Sequence, residues 1–131
     1  MNVSNHLATA LLNQVFRNTA YTRPTTIYVA LYTSNPTGAD TGTEVTGGAY
    51  ARQTVVYSAP ALEGSKETIK NTTELVFPIA TADWGSVTHV GIRDAATAGN
   101  LLYYGAIDNQ RTILNGDRLR LAADSIVMTL S

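Results

Sequence analysis

The chain has 131 residues, a length that suits one domain with one core, and it holds no cysteine, which excludes disulfides, thiolate metal sites and a cysteine nucleophile. Nine basic residues stand against ten acidic ones, interspersed along the chain, so the charged footprint of a nucleic-acid binder is missing. Low charge together with nineteen threonines and seven tyrosines suits a pleated, half-exposed surface and leaves room for faces that meet other subunits.

The first sixteen residues contain neither a basic leader nor an unbroken apolar run, and no later stretch approaches the length of a membrane span, so no membrane partner is expected. Leu7, Ala8, Leu11, Leu12, Val15 and Phe16 recur at spacings of three and four, which predicts one amphipathic helix within the first eighteen residues. Ser4 or Asn5 can cap its start, and Arg17 and Asn18 stand where a last turn closes. From Tyr21 the period changes to two. Residues 26–33, apolar on both faces after Pro24, predict a central strand. Residues 34–48 are polar apart from Val45 and predict a long exposed loop. A strand over 50–58 follows, then a second loop from Pro60 to about Lys66.

Three further strands are expected over 68–77, 87–93 and 101–107, the last two as a hairpin through residues 94–100. Between 77 and 87 a crossing connection carries Trp84 over one end of the core. The turn signal Asn115-Gly116-Asp117 predicts a pairing of 112–114 with 118–122, and Ile126, Met128 and Leu130 alternate into a last strand. The expected architecture is mostly β: a two-sheet sandwich of jelly-roll or Greek-key type spanning 1–131, with a helical arm over 1–20 and the sandwich over 21–131.

Catalytic constellations do not assemble from these residues. His6 falls at the helix start, and His89 shares a strand face with Val87, Gly91 and Arg93, which suits a hydrogen-bonded structural histidine. No Gly-x-Ser-x-Gly elbow is present. Asp40, Glu44, Asp83, Asp94, Asp108, Asp117 and Asp124 are all expected at turns or loops, accepting bonds from nearby backbone N–H groups. The loop around Asp40 and Glu44 offers too few carboxylates for a calcium site, and Gly47 and Gly48, with no helix after them, read as a turn that needs positive φ. No cofactor or metal is therefore expected, nor an enzymatic role. Tyrosine gives large contact area with a polar tip, so Tyr21, Arg23, Tyr50, Arg52, Tyr103 and Tyr104 are the candidate interface residues.

Three stretches resemble a group of small virion structural proteins of tailed bacteriophages, variously described as tail fibre, minor structural or head-decoration proteins. They are the helix Asn5-His6-Leu7-Ala8-Thr9-Ala10-Leu11-Leu12-Asn13, and the run from Ala20-Tyr21-Thr22-Arg23-Pro24 to Tyr32-Thr33 with Asn35-Pro36-Thr37 and Glu44-Val45-Thr46-Gly47-Gly48-Ala49-Tyr50-Ala51-Arg52-Gln53. The third is Phe77-Pro78 with Ala82-Asp83-Trp84-Gly85 and Val87-Thr88-His89-Val90-Gly91-Ile92. The resemblance implies a place in the virion. The leading expectation is a capsid decoration or cement protein on the outer surface of the head, with the major capsid protein as partner and self-association as a dimer or trimer. The alternatives are a tail component, either fibre-associated or receptor-binding, and more remotely a small cell-wall glycan hydrolase.

Overall fold

The computed structural model describes residues 1–130. In chain order it contains β1 (Asn2–Val3), α1 (Asn5–Phe16), β2 (Ile27–Tyr32), β3 (Gln53–Val55), β4 (Ala61–Glu63), β5 (Lys66–Lys70), β6 (Leu75–Val76), β7 (Gly85–Arg93), β8 (Leu101–Ile113), β9 (Arg120–Leu121) and β10 (Val127–Leu130). The molecule is mostly β with one N-terminal helix, and every strand pairing is antiparallel. Hydrogen bonds join the strands into three ladders, ordered β1-β8-β7-β2-β3, β10-β5-β4 and β6-β9. A jelly-roll or Greek-key sandwich of two sheets is a more specific description than these ladders draw.

β2 is an interior strand, as its apolar residues require. It lies between β7 and β3, and Val29, Ala30, Leu31 and Tyr32 are all buried. One buried cluster unites the ladders: Val29, Leu31, Val87, Ile92 and Ile113 come from the largest, Met128 from the second and Leu75 from the third, with Phe77, Trp84 and Leu119 from the connections. Trp84 closes one end as expected. Its indole N–H donates to the Gly48 carbonyl at 2.9 Å, and its ring meets Tyr50 edge-on at 5.5 Å.

Ser4 caps α1 by accepting the Leu7 N–H at 3.1 Å, while its own N–H donates to Leu102 O on β8 at 2.8 Å. The helical period holds, but its apolar stripe is only half used. Leu7, Ala8 and Leu11 are partly covered, no residue of α1 is fully buried, and Leu12, Val15 and Phe16 are 58 %, 66 % and 78 % exposed.

Four expectations about strands are corrected. Of residues 50–58 only Gln53–Val55 is strand, because Ala49 takes φ 64° and Tyr50 and Arg52 turn into a polar cluster. The expected strand over 68–77 breaks at Asn71, whose buried side chain bonds three backbone groups that a ladder would otherwise serve: it accepts from Ile126 N and donates to Thr73 O and Ala122 O. β5 and β6 therefore join different ladders. Residues 61–63, expected in a loop, form β4 and pair with β5 through the tight turn at Gly64 and Ser65. The turn at 115–117 is present, with Asp117 N–H bonded to Leu114 O, but it does not make the expected hairpin. Residues up to Ile113 continue β8, and β9 pairs with β6.

Candidate functional site

β7 ends in Arg93, and that position decides what the adjacent loops do. An arginine at the end of a buried strand cannot shed its charge and must find acceptors. Its guanidinium forks onto the Asp40 carboxylate at 2.8 and 2.9 Å, donates to the Tyr32 hydroxyl at 2.9 Å, and reaches the carbonyls of Gly99 at 2.8 Å and Ala98 at 3.2 Å. Arg52, just ahead of β3, repeats the pattern. It forks onto Glu44 with two bonds of 2.8 Å and donates to Ala95 O and Ala98 O, each at 2.8 Å. Tyr50 completes the cluster, its hydroxyl donating to Glu44 at 2.6 Å while accepting the Leu31 N–H at 3.0 Å.

Two parallel arginine–carboxylate forks thus share the Ala98 carbonyl and fasten the loop 34–48 to the loop 94–100. The arginine side chains are 6 % and 8 % exposed, whereas Glu44 and Asp40 retain 23 % and 37 %. Burial alone would raise the Glu44 carboxyl, but the bonds from Arg52 and Tyr50 outweigh it and hold the group below its ordinary value. Burial pushes the Tyr50 and Tyr32 hydroxyls up, and the Glu44 carboxylate pushes Tyr50 further. For Arg93, burial opposes the charge, and the bonds to Asp40 and Tyr32 more than restore it. The polar atoms of this cluster are engaged with one another, so what it does as built is brace two loops against each other.

The structure brings Tyr50 and Arg52 of the expected interface residues into this brace, facing inward. Tyr21 is half-covered, with its ring 6.4 Å from His6 and its N–H bonded to the Gln14 side chain. Arg23 is exposed. Tyr103 and Tyr104 take opposite faces of β8, beside Val3 and Asn2 of β1; both are half-buried, and Tyr103 packs against the core. His89 is the hydrogen-bonded strand histidine expected, 2.8 Å from Thr88 Oγ1. Gly47 and Gly48 have φ 73° and 57°, and a Cβ on Gly48 would fall 2.8 Å from the Trp84 nitrogen.

Asp83, Asp94 and Asp117 accept backbone N–H groups at turns, as expected for loop carboxylates. Asp40 and Glu44 instead take arginines, and Asp108 lies within β8 and not in a loop. The two carboxylates considered for calcium are thus already engaged, and among the described residues no three metal-ligating side chains gather in one place. The sequence reading missed Arg93, Asp40 and Tyr32. The charge of Arg93 after a stretch that opens on Val87 and closes on Ile92 was the available signal, since a charge beside buried residues needs a partner.

The loop 34–48 is also tied to the helix, because Asn5 N–H donates to Gly38 O at 2.9 Å. Held at Ser4 by β8 and at Asn5 by this braced loop, α1 starts from a fixed base and presents Leu12, Val15 and Phe16 outward. A comparison with curated proteins returns no match. A family model described as "Podophage GP4 fiber I protein gp80" matches residues 2–129.

Proposed function

The chain belongs to this podophage fiber family and is a structural protein of a phage virion, and from that premise we propose that it is a fibre-associated component of the particle. The match across nearly the whole chain, to a family whose description specifies a fiber, is the observation that carries this reading. The fibre position takes the place of the outer capsid surface, and of the major capsid protein as partner, that the sequence alone favoured. Its work is binding without turnover, with no cofactor. The outward face of α1 supports self-association through a second copy of the same chain, since large apolar side chains gathered on one rigid element favour burial against protein over exposure to water.

Labelling intact particles with a gold-tagged antibody against this chain, with copy number counted by quantitative mass spectrometry, tests the assignment. Label on the fibres and a handful of copies per particle is the expected result. Label spread over the head with hundreds of copies would overturn it and restore the capsid-cement reading.

A further inference from the structure

β8 carries an irregularity that nothing in the brace or the helix explains. Its pairing with β7 runs Val87↔Arg111 and then His89↔Ala106, so one residue of β7 faces four of β8, and residues 107–110 bulge away from the ladder. Bulges of this kind re-aim side chains and are common beside binding sites. This one forms a wall of a cleft of about 470 Å³, within the range of small-molecule sites.

The floor is apolar, made by Val90, Leu119 and Ile126. Polar groups join further apolar ones around it: Asp108 and Asn109 come from the bulge, Ser125 from the segment before β10, and Arg111 and Arg120 bring positive charge. Arg120 spends one bond, at 3.3 Å, on an exposed Glu74. Arg111 meets no carboxylate within ion-pair distance among the described residues. Its five donors are therefore available to an anion, in contrast with Arg52 and Arg93, which the fold consumes.

Each group in the cleft asks for something different of an occupant. An apolar floor suits the C–H face of a small ring, an aspartate, an asparagine and a serine suit several hydroxyls, and a free guanidinium suits one acidic group. We propose that this cleft binds a sugar bearing a carboxylate or phosphate, with Arg111 on the acidic group and Asp108 and Asn109 on the hydroxyls. The site is independent of where on the particle the protein sits, so the labelling experiment bears on it in neither direction.

Two-dimensional amide NMR of the intact chain, titrated separately with glucuronate, glucose phosphate, glucose and inorganic phosphate, is the test. Both acidic sugars should give saturable shifts confined to residues 106–111 and 119–127, with glucose and inorganic phosphate each binding more weakly at the same amides. Arg111→Ala should weaken the acidic sugars about tenfold or more with its other amides unmoved, and Arg23→Ala should leave binding unchanged. Equal response to glucose and glucuronate, equal response to inorganic phosphate and glucose phosphate, an absence of saturable shifts, or full binding by Arg111→Ala would each overturn the proposal.

Discussion

Replacing Arg93 by alanine removes five hydrogen bonds at once, and the structure indicates which of those losses matter. Asp40 is 37 % exposed and can rehydrate, so the stranded carboxylate adds little. The Tyr32 hydroxyl belongs to a residue 1 % exposed and loses its donor, whereas the carbonyl of the exposed Gly99 can turn to water. An orphaned buried polar group costs about 1–3 kcal/mol. With the lost packing of the guanidinium stem, Arg93→Ala should destabilise the fold by about 3 kcal/mol, a fall in Tm of about 10 °C for a chain of this size. The comparison is Arg120→Ala, whose ion pair with Glu74 is 56 % and 49 % exposed and should be worth less than about 0.5 kcal/mol. Urea unfolding followed by the fluorescence of the single tryptophan, Trp84, measures both. If Arg93→Ala costs no more than Arg120→Ala, the brace is decorative and the reasoning fails.

Phe16→Ser should leave stability within about 0.5 kcal/mol of the parent, because the side chain is 78 % exposed, yet shift the population toward monomer in sedimentation analysis; unchanged association would refute a role for α1. Glu44 has a folded value held below its ordinary 4.5, so the stability it contributes is fully present above that pH and is lost as pH falls through the folded value. Glu44→Gln should accordingly be less stable near neutrality and show a shallower loss on acidification, read from unfolding midpoints across an acid series. Asn71→Ala removes three bonds to backbone groups at a fully buried site and should cost about 3 kcal/mol, while Thr72→Ala beside it, exposed, should cost less than about 1 kcal/mol in the same urea assay.

The parts of this fold legible in the sequence are those governed by local rules. The spacing of Leu7, Ala8 and Leu11 made α1 readable, the doubly apolar run made β2 interior, and Gly47-Gly48 announced a turn with positive φ. What escaped depends on partners distant in the chain. Asp40 and Arg93 stand 53 positions apart, and only the return of the loop 34–48 toward the end of β7 brings the two together. Asn71 ended a strand that propensity would have continued, since its amide bonds groups 51 and 55 residues away. Hydrophobic period also could not say how much of an apolar face would be covered: Leu11 and Leu12 are equivalent as letters, and only the folded chain shelters one in part and leaves the other in water.

The two arginines hold the loop 94–100 by its main-chain oxygens at Ala95, Ala98 and Gly99, and by no side chain of the loop. Gly99 is tied to its identity, with φ 72° and a Cβ that would fall 2.5 Å from Asp94 Oδ1, and Asp94 is tied to it by closing the turn onto Asn100. Ala96 and Thr97 are exposed and under no such obligation, whereas Ala98, at φ 52°, holds a left-handed turn that offers its carbonyl to both arginines. The lettering at 96 and 97 can change while the loop keeps its shape, so a new pair of side chains placed there should be displayed in a fixed conformation on an unaltered scaffold.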